Sequence, residues 1–152
     1  IVVTRHKDVA EICAQQQIPC LLHDKPYLSD TVRLGTAYIE QHLPQATGLL
    51  FAVGDQPLLQ QTTLIRLAES FSAQPQKIHR LYYKETPGNP IIFPAKFADE
   101  LQQLPQDKGG SVLTKKYPEL VVKVPVQDIN ELLDIDTQQD KTKLERLRPY
   151  SE

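Results

Sequence analysis

Short apolar, β-branched runs alternate with stretches of helical periodicity through the first half of the chain, and that alternation leaves few architectures open. Ile1–Thr4, Pro19–Leu22 and Leu49–Val53 read as strands. Between and after them, Lys7–Gln17, Asp30–His42 and Gln61–Phe71 carry apolar residues at helical spacing. Parallel neighbouring strands need a crossover long enough to hold a helix, so a β-α-β-α-β-α order predicts a doubly wound α/β sheet. Leu49–Val53 is apolar throughout, which suits a central strand covered on both faces. Ser29 is the expected cap of the second helix, and Pro44 lies beyond its end.

The second half is less regular. Ile78–Lys84 and Ile91–Phe93 read as strands around a turn at Thr86-Pro87-Gly88-Asn89-Pro90. Ala95–Gln103 and Gly110–Lys116 read as helices, and Leu120–Val126 as an alternating strand. Leu132–Asp136 reads as a short extended segment, and Thr137 caps a helix from Gln138 to Leu147. No repeat, low-complexity tract or linker interrupts the pattern, and prolines fall between elements as turn chemistry requires. A single domain over residues 1–152 is therefore expected, and that length can bury a real core.

Seventeen basic and nineteen acidic residues are interspersed, with a formal net charge of −2. Nothing resembles a basic stripe, so nucleic acid is not an expected partner. No apolar run approaches a membrane span and no signal-peptide pattern opens the chain. The two cysteines, Cys13 and Cys20, have neither disulfide-scaffold density nor zinc-ligand spacing. Buried structural thiols in a reduced, cytoplasmic setting are the expectation. The chain opens on Ile1, inside a predicted strand, and contains no methionine. It therefore reads as the downstream part of a longer polypeptide.

Five clusters could carry chemistry. The run Leu49-Leu-Phe-Ala-Val-Gly-Asp55-Gln56-Pro57 ends an apolar strand in a carboxylate. In open α/β sheets ligands bind beyond the carboxyl ends of strands, where Asp55 would offer a hard oxygen ligand to a Mg²⁺–phosphate. Gly54 is expected to let the backbone approach closely there, and Pro57 to stop the strand. The competing reading makes Asp55 the N-cap of the next helix. At Leu28–Gly35, the start of a helix, Ser29 and the backbone N–H groups could bind an anion or a base edge, against ordinary capping with Arg33 solvated. Asn89, in the Gly88-Asn89-Pro90 turn, can both donate and accept. Gln106-Asp107-Lys108-Gly109-Gly110 precedes a helix and could hold an anionic group or be a plain loop. In Leu133-Asp134-Ile135-Asp136-Thr137, an extended backbone puts Asp134 and Asp136 on one side. Two carboxylates so placed need a cation or hydrogen-bond donors.

Taken in order, these clusters resemble the nucleotidyltransferases that attach a nucleotide to molybdopterin cofactors, the cytidylyltransferase branch in particular. The family's Leu-Ala-Asp-x-Pro type motif is matched by Phe51–Pro57 and its Ser-x-x-x-Arg-x-Gly helix start by Ser29, Arg33 and Gly35. Gly88–Pro90 matches its Gly-Asn-Pro turn, and Leu133–Thr137 its Leu-Asp-Ile-Asp-Thr ending. Gln106 replaces the first glycine of its Gly-Asp-x-Gly loop, ahead of Asp107, Lys108 and Gly109. The resemblance implies a Rossmann-like, three-layer α/β fold with a mostly parallel central sheet, here without the family's opening strand and Gly-rich phosphate loop. It implies Mg²⁺-dependent transfer of CMP, rather than GMP, from CTP or GTP to a molybdopterin-type acceptor, with loss of pyrophosphate and a molybdoenzyme as a further partner. By position, Asp55 would be the principal Mg²⁺ ligand and catalytic residue and Asp136 the second ligand, with Asp134 supporting the local structure. Ser29, Arg33, Gln56 and Pro57 would lie near the nucleotide, and Asn89, Asp107 and Lys108 on the acceptor side. Without the phosphate loop, the stretch alone is expected to be at best weakly active. Two other readings stand beside this one: sugar-1-phosphate or other small-alcohol nucleotidyl transfer, and a non-catalytic accessory protein that holds a cofactor or a molybdoenzyme.

Overall fold

The computed structural model describes residues 1–147. The elements run β1 (Val2–Thr4), α1 (Lys7–Gln15), β2 (Cys20–Leu22), α2 (Leu28–His42), β3 (Gly48–Phe51), α3 (Gln61–Ala73), β4 (Ile78–Tyr83), β5 (Thr86–Pro94), α4 (Ala98–Gln102), α5 (Ser111–Lys116), β6 (Val121–Pro125) and α6 (Gln138–Leu147). Short 3-10 turns precede α4, β6 and the segment that leads to α6. The chain divides into two compact units, one from Ile1–Leu49 with Phe93–Val121, the other from Leu50–Ile92 with the residues from Val122 on.

In the first unit, β1 and β2 pair in parallel, Val2 opposite Cys20 and Thr4 opposite Leu22. Their crossover is α1, which ends where Gln17 takes a positive φ of 55°. Cys13 is buried and Cys20 half-buried, both as free thiols. Helix α2 buries Val32 and Thr36, and Leu101, Leu104 and Leu113 fill the same unit's interior. Tyr27, not Ser29, is the N-cap of α2. Its N–H donates to the Asp30 carboxylate at 3.3 Å, a side-chain acceptor three residues on that satisfies the helix entry without Ser29.

The second unit is built on a four-stranded sheet ordered β3-β5-β4-β6. Leu67 and Phe71 of α3 pack with Leu81, Ile92, Val124 and Val126 into one apolar cluster, with Leu132 against it. β3 is an edge strand of this sheet rather than the expected central one, and Leu50 is 48% exposed. Its apolar composition extends past the paired residues, so composition alone overstates its burial.

The hairpin β4–β5 corrects a second expectation. Thr86–Pro90 belongs to β5, and the turn lies at Lys84-Glu85, between the paired Tyr83 and Thr86. Lys84 supplies the positive φ, 52°, that so tight a connection needs. Pairing of Thr86 and Pro87 with β4 holds extended the start of a Gly/Pro-rich stretch that turn propensity alone would bend. The register shifts between Arg80 and Tyr82. Among the described residues no helix is long and apolar enough to cross a membrane.

Candidate functional site

The second unit joins two of the motifs. Beyond β3 the chain turns through Gly54-Asp55, and the Asp55 carbonyl accepts the Ile135 N–H at 3.0 Å. The Gln56 side-chain amide donates to the Asp134 carboxylate at 2.8 Å. Gln60 N–H donates to the Glu131 carboxylate at 3.3 Å, a third tie between the same two stretches. The loop after β3 and the segment before α6 are thus stitched together, although 78 positions separate Gln56 from Asp134.

The side chains there divide the work. Gln56 is buried, its Nε2 satisfied by Asp134 while Oε1 has no partner among the described residues. Asp55 and Asp136 are exposed, and neither carboxylate makes a hydrogen bond or ion pair with a described residue. The competing roles are filled by others. Thr137 and Asp140 cap α6 reciprocally, Asp140 N–H donating to Thr137 Oγ1 at 3.2 Å and Thr137 N–H to the Asp140 carboxylate at 2.9 Å. The Thr137 hydroxyl, donating to the same carboxylate at 2.6 Å, holds the Asp140 carboxyl below its ordinary range, with the Thr137 and Asp136 N–H groups adding to the effect. Helix α3 starts after Gln60, so Asp55 does not cap it. Gly54 is in open space with no positive φ, so it serves neither a close approach nor a strained turn. It leaves room beside Asp55.

Asn89 belongs to the same unit. Its neighbour Gly88 is buried, and a Cβ there would come within 2.5 Å of the Leu132 side chain. Glycine permits this approach without displacing Leu132, and it brings β5 against the residues leading to Asp134. Arg80 donates from Nε to the Gly88 carbonyl at 2.8 Å. Arg80 carries no signal in the sequence, since a lone arginine in a strand belongs to no motif.

The remaining candidates lie in the first unit. Ser29 is wholly buried in the first turn of α2, its Oγ without a partner among the described residues. Arg33 donates to the Asp30 carboxylate at 3.2 Å and also to the Leu104 carbonyl, which ties α2 to the residues after α4. Asp107, at φ 56°, and Lys108 are exposed. A Cβ on the following Gly109 would lie 3.0 Å from Leu28, so this loop sits beside the start of α2.

Comparison with known proteins agrees with this architecture. A family model described as the MobA-like NTP transferase domain matches residues 1–121. By structure the chain is similar to Rv0371c from Mycobacterium tuberculosis H37Rv, with 25% identity, a TM-score of 0.77, and 93% of this chain and 72% of that one covered. A manganese complex of Rv0371C matches at 22% identity and a TM-score of 0.67, covering 93% and 73%. A nucleotidyl transferase from Methanothermobacter thermautotroptrophicus is similar at 20% identity and a TM-score of 0.76, covering 96% and 71%. Molybdopterin-guanine dinucleotide biosynthesis protein A from Archaeoglobus fulgidus is similar at 18% identity and a TM-score of 0.67, covering 95% and 76%. No curated protein matches significantly by sequence. The fold these neighbours share is the Rossmann-like α/β fold of nucleotidyltransferases.

Proposed function

Because the chain belongs to the family of the MobA-like NTP transferase domain, we propose that it transfers CMP, in preference to GMP, from a nucleoside triphosphate to a molybdopterin-type acceptor with release of pyrophosphate. Nucleotidyl transfer follows from the family. The acceptor is suggested by the likeness to the molybdopterin-guanine dinucleotide protein, and CMP by the motifs shared with the cytidylyltransferase branch.

The observation that carries the reading is the junction of the Asp55 turn with the Asp134–Asp136 segment. It leaves Asp55 and Asp136 as exposed, unpartnered carboxylates on two stretches that are hydrogen-bonded to each other. Such a donor set fits Mg²⁺, which takes one or two carboxylates and completes its shell with water and substrate phosphates. Among the described residues no three His, Cys, Asp or Glu side chains cluster, so most of that shell would come from outside the protein. Bound by Asp55 and Asp136, the ion would neutralise charge on the phosphates while an acceptor oxygen attacks the α-phosphorus and pyrophosphate leaves.

The protein's part is positioning. Asp134 and Gln56 hold the segment bearing Asp136, and Pro57 lies within the loop that bears Asp55 and runs on to Gln60. Asn89 presents an amide to the acceptor from a strand packed under Leu132. In the first unit, Asp107 and Lys108 are exposed in the loop beside the start of α2, which Arg33 ties to the Asp30 carboxylate and the Leu104 carbonyl.

Pyrophosphate release should be measured with CTP and with GTP, in Mg²⁺ and in EDTA, for the wild type and Asp55→Asn. The expected result is Mg²⁺-dependent turnover favouring CTP, reduced by about two orders of magnitude in Asp55→Asn, the scale of losing one stabilising group for developing charge. Metal-independent turnover, or an Asp55→Asn variant as active as the wild type, overturns the assignment.

A further inference from the structure

Arg80 stands on an interior strand of the second unit's sheet, between His79 and Leu81, both wholly buried. Its own side chain is only partly buried and lies on the opposite face, as strand alternation requires. Nε is spent on the Gly88 carbonyl at 2.8 Å, and no carboxylate pairs with the guanidinium among the described residues. Neither terminal nitrogen is both buried and unsatisfied, so the open fork faces solvent. The register shift between Arg80 and Tyr82 falls at this residue, and such irregularities re-aim side chains beside binding sites. Removing a guanidinium partly from water without a carboxylate is unfavourable, and burial pulls Arg80 below its ordinary range, against the opposing effect of Tyr82. The Nε bond fixes the fork one residue from Asn89, on a strand whose Gly88 is packed under Leu132.

We infer that Arg80 is a binding residue for the acceptor, its fork taking the oxygens of a phosphate monoester beside Asn89. The inference rests on the nucleotidyl-transfer reading, because a transfer that makes a dinucleotide needs a phosphate on the acceptor. A planar fork with two free amino groups matches such an oxyanion through two parallel hydrogen bonds, which a lysine would not reproduce.

The probe is phenyl phosphate, titrated into isotope-labelled protein and read at the Arg80 Nε–Hε resonance and by calorimetry, with benzoate as the carboxylate control. We expect saturable binding that shifts this resonance, displacement by inorganic phosphate and not by benzoate, and affinity about tenfold weaker or worse in Arg80→Gln, as for losing a hydrogen bond to a charged group. Arg80→Lys should fall between. The amide spectrum of each variant reports whether it keeps its fold. Should Arg80→Gln not fold, the wild-type resonance and Arg80→Lys decide. An unmoved Arg80 resonance, wild-type affinity in a folded Arg80→Gln, equal displacement by benzoate, or wild-type affinity in Arg80→Lys overturns the inference. The Asp55→Asn turnover assay fails independently: its failure strikes nucleotidyl transfer and leaves the phosphate titration standing.

Discussion

Asp134 accepts a hydrogen bond from the Gln56 amide, whereas the Asp136 carboxylate, two residues on, has no partner among the described residues. Replacing Asp134 with alanine leaves a buried amide nitrogen without its acceptor, and the expected cost is about 1–2 kcal/mol of stability. Replacing Asp136 with alanine removes an exposed carboxylate, and stability should change by less than about 0.5 kcal/mol. Turnover should respond differently. Asp136→Ala loses metal-dependent activity while keeping its melting temperature, and Asp134→Ala melts earlier. Equilibrium urea denaturation beside the pyrophosphate assay checks both. A destabilised Asp136→Ala with full activity would reverse the two assignments.

Between α3 and β4, His79 is wholly buried and satisfied on both ring nitrogens. The Gln74 carbonyl, 3.0 Å from Nε2, can only accept, so Nε2 carries the proton and Nδ1 accepts from Ser70 Oγ at 2.8 Å. Phe71 meets the ring edge-on, its centroid 5.6 Å away. Burial lowers the pKa of His79 below its usual 6.5, the Gln74 bond opposing and the Lys77 charge adding to the shift. The neutral ring is therefore the folded form. Above about pH 6.5 neither state binds the proton, and the contribution to stability is complete. As pH falls below that value the unfolded chain protonates first, so stability declines until the folded pKa is passed. Chemical denaturation at pH 7.5 and 5.5 should show a larger loss in the wild type than in His79→Gln. An identical pH dependence in the two proteins would contradict this account.

At the scale of the whole molecule, a cation held by two carboxylates should bind weakly alone and tightly only with a triphosphate. EDTA is expected to leave the melting temperature unchanged. Mg²⁺ with CTP at about one hundred times its dissociation constant should add about 2.7 kcal/mol of stability. Asp55→Asn should abolish that increment. Stabilisation by Mg²⁺ alone, equal to that with CTP, would instead point to a structural metal site.

Much of this architecture was legible locally. The order of strands and helices follows from apolar periodicity, and the Thr137 cap from a hydroxyl that satisfies a helix N–H three residues away. The meeting of the Asp55 turn with the Asp134–Asp136 segment, through Ile135 and Gln56, was to be expected only from the resemblance, since nothing in the intervening residues announces that the two stretches meet. What the tertiary structure decided are the features set by distant partners. Pairing of Thr86 and Pro87 with β4 set the start of β5, strand order left Leu50 exposed at an edge, and Asp30 displaced Ser29 as the helix's entry partner. It also assigned Asp134 to Gln56 and Arg80 to Gly88. A sequence by itself determines what each segment can do within its own few residues. Which of those possibilities wins depends on which donors and apolar faces the folded chain brings against it.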